Sequence, residues 1–329
     1  MIRSLLDLDE VKKKIESNKT LLIAGDENLL KQLPKGKWIG GTIPYFMAED
    51  GGLSTKDKMY VTELPDYIED ITIKTYNQDT ISKIYVDDPD KTLSFIIIPA
   101  SSSIHYYFAL ESPNFKGFAT RALIGWISGI HLDDLGNETA KIMDGSSLSV
   151  YDDRAVVMHV RLPENKFPEI KILNIFEQGD GDAIEFLEDG FMAQEVQING
   201  ETRNFAEYII ENNIDIKLPL VANYFGAMIN TSFQAVDEEN KKVDFYAPVF
   251  KGVLYKQARP VKDYISDFLN EMPEESGENI VFSCNCILNY LYAELEGKKT
   301  GYFTGPMTFG EIAYQLLNQT LAYVKILNI

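Results

Sequence analysis

Two stretches near the C-terminus hold most of the residues that could do chemistry. In IVFSCNCILNYLYAEL an apolar run, Ile280 to Phe282, leads straight into Ser283, Cys284 and Asn285. In GYFTGPMTFGEIAYQLLNQT, Gly301 to Thr320, three glycines and Pro306 surround a single acid, Glu311, and the stretch closes on Asn318-Gln319-Thr320. A helix expected from about Asn285 puts Ser283, Cys284 and Asn285 at its N-terminus. Unpaired N–H groups there suit an anion and lower the pKa of a thiol. Equally, Ser283 or Asn285 caps that helix and both cysteines are small buried hydrophobes. A buried Glu311 needs hydrogen bonds or a cation, either a ligand ammonium or a protein Lys or Arg. Gly301, Gly305 and Gly310 let backbone approach closely. Asn318, Gln319 and Thr320 supply donors and acceptors, though such residues also serve turns.

Other chemistries have less behind them. His105, His131 and His159 never stand at a His-x-x-His or His-x-x-x-His spacing, so no zinc site is expected. Cys284-x-Cys286 lacks a second pair. As a nucleophile Cys284 needs a base, and no histidine lies in the C-terminal half to provide one. Gly179-Asp180-Gly181-Asp182 reads as a hairpin turn, because it lacks the later Glu of a calcium loop. No phosphate-binding glycine motif occurs.

The elements that must position these residues follow from composition and pattern. The chain has 329 residues, 45% hydrophobic and 25% charged, which predicts a folded protein and suits two domains. Fifty acids against 31 Lys plus Arg give a formal charge of −19, which argues against nucleic acid as a partner. No apolar run reaches the roughly 18 residues of a membrane span. The N-terminus lacks the apolar core of a signal peptide, and the two cysteines make no disulfide framework, so a cytoplasmic location is expected. LSFIIIP (93–99) reads as a strand covered on both faces, with a helix after Ser101 to Ser103. Later β-rich segments at hairpin spacing predict antiparallel pairing rather than βαβ units. Helices are expected near 9–18, 27–33, 205–212, 261–272 and 286–295, and strands over 37–47, 301–305 and 318–329. The fold class expected is α+β: two domains of mainly antiparallel sheet with packed helices, bounded at 1–188 and 189–329.

The motifs VFSCN, GYFTGPMTFGEI and LNQTLAYVKI resemble, in order and spacing, the C-terminal half of FIST domains, sensory modules of intracellular signal transduction. INGETRNFAEYI is similar to the start of that half, and WIGGTI resembles, more loosely, a segment of the N-terminal half. Leu317 stands where the family has a His, and Gly305-Pro306-Met307 is an insertion, so the family's ligand site is altered here or lost. Layered αββα domains are the expected arrangement, and the resemblance implies a stand-alone, non-enzymatic protein that binds a small ligand, an amino acid or small carboxylate, and signals to a protein partner. Its pocket would be formed by Ser283, Cys284, Asn285, Thr304, Gly310, Glu311, Asn318 and Gln319, facing Gly40, Gly41 and Thr42. No metal or cofactor is called for. The alternatives are an enzyme with Cys284 as nucleophile, or a haem-binding gas sensor with His105 as axial ligand.

Overall fold

The computed structural model describes residues 3–224, 227–271 and 277–328. The chain opens with β1 (Arg3–Leu6), α1 (Leu8–Glu16), β2 (Leu21–Gly25), α2 (Glu27–Leu30), β3 (Trp38–Thr42), β4 (Tyr45–Ala48), β5 (Gly51–Ser54), β6 (Met59–Glu63) and β7 (Asp70–Tyr76). It continues with β8 (Leu93–Pro99), α3 (Ser103–Glu111), β9 (Ala122–Ser128), β10 (Ile142–Asp144), β11 (Ser149–Tyr151), β12 (Ala155–Arg161) and β13 (Lys166–Leu173). The next stretch holds β14 (Ile184–Phe186), β15 (Gly190–Ala193), β16 (Glu195–Ile198), β17 (Glu201–Asn204), α4 (Phe205–Glu211), β18 (Leu220–Tyr224), β19 (Ala227–Thr231), β20 (Phe233–Asp237), β21 (Lys242–Val249), β22 (Leu254–Gln257) and α5 (Tyr264–Glu271). The last holds β23 (Ile280–Cys286), α6 (Ile287–Tyr292), β24 (Gly305–Thr308), β25 (Glu311–Ala313), β26 (Gln315–Leu317) and β27 (Leu321–Asn328). The fold is mixed α and β, dominated by antiparallel strands, and no described helix is long and apolar enough to cross a membrane.

Two compact units emerge, and they are not consecutive halves. The first takes Met1–Ile172, Met272–Leu316 and Leu321–Ile329; the second takes Leu173–Glu271 and Leu317–Thr320. The division expected at 188/189 therefore differs from the observed one. The C-terminal strands complete sheets begun by N-terminal ones, as β25 pairs with β9 and β24 with β4. Such pairing across more than 180 residues is invisible to local pattern.

The first unit holds three six-stranded sheets, ordered β1-β6-β2-β3-β10-β11, β26-β25-β9-β8-β12-β7 and β13-β27-β23-β24-β4-β5. Most pairs are antiparallel, but β2 runs parallel to β3, β8 to β9 and β23 to β24, each with one helix between. The prevalence of antiparallel pairs agrees with the mainly antiparallel fold expected, and the three parallel pairs add βαβ units to it. Parallel neighbours need a crossover, and α2, α3 and α6 supply the helices in these three. α1 starts where Asp7 accepts the Glu10 N–H at 2.9 Å and Glu10 accepts the Asp7 N–H at 3.1 Å, and Val11 and Ile15 bury one face. β8 and β9 are buried along their whole length. Gly125 is required in β9, because a Cβ there would sit 1.7 Å from the Ile96 carbonyl oxygen. Trp126 stacks on Phe282 at 5.4 Å, and Phe95 meets Phe282 edge-on at 5.9 Å.

The second unit pairs a six-stranded sheet, β17-β16-β14-β22-β18-β19, with the three strands β15-β21-β20. Its core gathers Phe186, Phe205, Phe233, Phe245 and Tyr255, with Phe186 meeting Phe205, Phe245 and Tyr255 edge-on. The expected helix over 261–272 is α5; its expected last residue, Met272, lies outside the described residues.

Candidate functional site

The polar groups of the first unit gather where its parallel crossovers end. The second strand of each crossover closes on a hydroxyl residue: Thr42 in β3, Ser128 in β9 and Thr308 in β24. Backbone bonds tie these ends together. Gly129 N–H donates to the Thr42 carbonyl at 2.7 Å, Phe309 N–H to Ile127 at 3.1 Å, and Ile127 N–H to Gly310 at 2.8 Å. Gly129 leaves room for the Phe309 ring, which a Cβ would approach to 2.3 Å. In sheet-containing folds the carboxyl ends of parallel strands are where ligands commonly bind.

Glu311 lies in β25 directly opposite Trp126 in β9. Directly opposed residues share a sheet face, with Cβ atoms about 5 Å apart. Glu311 is fully buried. The Thr308 hydroxyl is 3.3 Å from Glu311 Oε1, 3.1 Å from the Gly310 carbonyl and 3.3 Å from the Asn285 carbonyl, so one proton faces three acceptors. Nearby, Gly41 brings β3 close to β9: a Cβ there would stand 2.6 Å from Ile97 Cγ2, 3.1 Å from Ser128 Cβ and 3.2 Å from Trp126 Nε1. Trp126 Nε1 and Ser128 Oγ are both buried and have no hydrogen-bond partner among the described residues. A buried indole N–H and hydroxyl left unpaired cost about 1–3 kcal/mol each, which marks the spot.

The other expected residues separate. Gly40 abuts Trp38, the Ile23 carbonyl and Leu30, away from Glu311. Thr42 Oγ1 is engaged with Lys141, accepting its N–H at 2.9 Å and donating to its carbonyl at 3.3 Å. Ser283, Cys284 and Asn285 are strand residues of β23, and α6 begins only at Ile287 with Cys286 at its N-cap. The helix N-terminus expected at Asn285 is thus corrected: β23 stays extended because it pairs through Asn285 with β27 and β24. Cys284 Sγ donates to the Gly125 carbonyl at 3.4 Å. Burial, then the charges of Glu311 and Cys286, push its thiol well above the ordinary range. Asn285 Oδ1 accepts from Cys286 N and Asn289 Nδ2, both at 2.8 Å, while its own Nδ2 has no acceptor among the described residues.

Ser283 and Thr304 form a different group. Ser283 Oγ donates to the Thr304 carbonyl at 2.9 Å, and the Tyr60 hydroxyl donates to Thr304 Oγ1 at 2.7 Å. Residues 301–304, expected as a strand, are turn and coil; the strand starts at Gly305. Asn318 and Gln319 belong to the second unit. There Asn230 Nδ2 donates to both their carbonyls at 3.3 and 3.2 Å, and Gln319 Nε2 donates to the Lys217 carbonyl at 3.1 Å. Gln319 takes a left-handed φ of 49°, and the amide network holds that turn.

The histidines stand apart from Glu311's neighbours. His105, in α3, accepts the Ser101 N–H on Nδ1 at 3.2 Å, and burial lowers its pKa to about 4. His131 stacks on Tyr45 at 5.3 Å. Among the described residues no three of His, Cys, Asp or Glu are placed to hold a metal ion. One open cavity of about 290 Å³ in the first unit is lined by Glu63, Tyr67 and Lys166, and one of about 460 Å³ in the second by Phe186, Glu188 and Met192. Neither is lined by an expected site residue. Sequence reasoning missed Trp126, Ser128 and Thr308; two polar-bearing residues at i and i+2 inside the apolar run LIGWISG were the available signal.

Compared with known families, residues 6–327 match a family of unknown function, DUF6976. The chain belongs to that family. The family's description carries no function and no link to FIST domains. No curated protein matches the chain.

Proposed function

We propose that this DUF6976 chain is a non-enzymatic, FIST-like sensory protein that encloses a small ligand at the joined ends of β3, β9 and β24. The observation that carries this reading is a fully buried carboxylate, Glu311, paired across the sheet with Trp126, whose indole N–H, like the buried Ser128 hydroxyl two residues on, lacks a partner among the described residues. Unsatisfied buried polar groups call for an occupant. The ligand is small, an amino acid or a carboxylate, because Gly41 leaves little room beside Ile97 and Ser128. The layered αββα arrangement, a cytoplasmic location and a protein partner for signalling belong to the same proposal.

The alternatives have less support. A nucleophilic Cys284 would need a thiolate, and its surroundings disfavour one. A haem on His105 would have to displace the packing of α3, where that ring is buried. Thermal-shift screening against amino acids and small carboxylates tests the reading, because a ligand of the native state raises the Tm. The expected hit shifts the wild type and leaves Ser128→Ala and Glu311→Gln unmoved. A screen without hits, or hits that shift all three alike, overturns the proposal.

A further inference from the structure

β1 carries a charge that its surroundings do not answer. Arg3 is half-buried, donating from Nη1 to Ser283 Oγ and from Nη2 to the Tyr302 carbonyl, each at 3.1 Å. Both acceptors are neutral, and no carboxylate lies within ion-pair distance among the described residues. Four of the other five arginines do have a carboxylate within that distance. Arg161 pairs with Glu69 and Asp90, Arg203 with Glu211, Arg259 with Glu177 and Asp180, and Arg154 with Asp153. Arg121 lies against the carbonyls of Asp87 and Asp88. Burial lowers the Arg3 pKa, with Tyr60 as the opposing influence. A desolvated cation without a counter-charge is costly.

The neighbours leave the guanidinium with N–H groups to offer. Ser283 Oγ spends its proton on the Thr304 carbonyl, and the Tyr60 hydroxyl spends its own on Thr304 Oγ1. Arg carries five donors, and two are used by protein. Tyr302, whose carbonyl takes one of them, is 63% exposed, so this corner of the unit meets solvent.

We propose that Arg3 anchors an anion subsite on the first unit that takes one oxyanion group, a carboxylate or a phosphate. A planar guanidinium matches either bidentately. The subsite is independent of the Glu311 cluster and of the ligand proposed there.

The test uses the ¹⁵N-labelled full-length chain, titrated separately with acetate and with inorganic phosphate at constant ionic strength, with chloride as control. The Arg3 side-chain N–H resonance, assigned by its loss in Arg3→Lys, reports directly on the wild type. A saturable shift with either probe supports the subsite, and the probe that produces it names the ligand chemistry. Arg3→Gln should weaken that binding by about tenfold or more. An Arg3 resonance that stays still with both anions, or moves as much with chloride, overturns the proposal whether or not the glutamine variant folds. So does equal binding by Arg3→Gln. Failure here leaves the ligand screen on Glu311 unaffected, so the two readings stand or fall separately.

Discussion

One sheet of the first unit buries polar groups at both ends of its parallel pair β8–β9, and the two ends differ. Near the start of the pair, His159 of β12 sits between Ser94, Arg121 and Tyr76. Its Nδ1 is 3.0 Å from Arg121 Nη1 and 2.8 Å from Ser94 Oγ, and its Nε2 is 2.8 Å from the Tyr76 hydroxyl. Arginine has no acceptor, so Nδ1 must accept and the proton resides on Nε2. From there a directed chain runs to the Tyr76 oxygen and from the Tyr76 hydroxyl to Asp87 Oδ2 at 3.2 Å. Both nitrogens of the imidazole are engaged. At the far end, Trp126 Nε1 and Ser128 Oγ have no partner among the described residues, and the buried Glu311 pairs across the sheet with Trp126. Around His159 the imidazole is fully engaged, although Arg121 Nε has no partner among the described residues; a buried network whose bonds are largely made specifies the fold, and one left open marks a place where something else belongs.

The largest test of that contrast is Arg121→Ala. Its Nη2 bonds the Asp87 and Asp88 carbonyls, both at 2.6 Å, so its loss unhooks that segment and leaves His159 short of a donor. Denaturant titration should show a loss of about 3 kcal/mol. Next is acid. Burial and the Arg121 charge lower the His159 pKa to about 3, and burial lowers that of His105 to about 4. Both folded values lie below the unfolded one of about 6.5. The stability they contribute is complete above that pH and is lost as pH falls through 6.5 towards their folded values. His159→Gln should flatten part of that acid limb in unfolding curves recorded between about pH 7 and 4. A limb unchanged by the substitution breaks the reading of His159 as a neutral strut.

The smaller effects sharpen the comparison. Ser94→Ala removes a bonded hydroxyl and should cost about 1 kcal/mol. Ser128→Ala removes an unpartnered one and should be neutral, or stabilising by up to about 1 kcal/mol, in the absence of ligand. Equal costs at the two serines would show that the Ser128 hydroxyl is satisfied in solution. Smallest in stability terms, Cys284 in the native protein should react with iodoacetamide no faster than global unfolding allows, because its thiol is buried and its pKa raised. Fast alkylation at neutral pH would revive the nucleophile.

Much of the local structure was legible. The apolar run Phe95 to Ile98 announced a strand covered on both faces, and the serines before α3 announced its cap, which Ser102 provides by accepting the His105 N–H. One part of the candidate site can be compared directly: Glu311, singled out as the lone acid of 301–320, is fully buried. Its expected companions do not all gather there. Ser283 and Thr304 turn to Arg3 and Tyr60, and Asn318 and Gln319 to Asn230 and Lys217, although all lie within a few dozen residues of Glu311 in sequence. The face a strand residue presents follows from register, and register here is set by partners as far apart as Phe46 and Pro306.

The amino-acid order by itself determined most of the segments that extend or coil into helices, and that the chain carries a strong negative charge, because periodicity, caps and side-chain charge act over a few residues. Tertiary structure alone decided which strands pair, where the two units divide and which polar groups end up without partners. Those outcomes depend on contacts between distant segments, and on whether an acceptor comes within about 3 Å of a buried donor. No local pattern carries that distance.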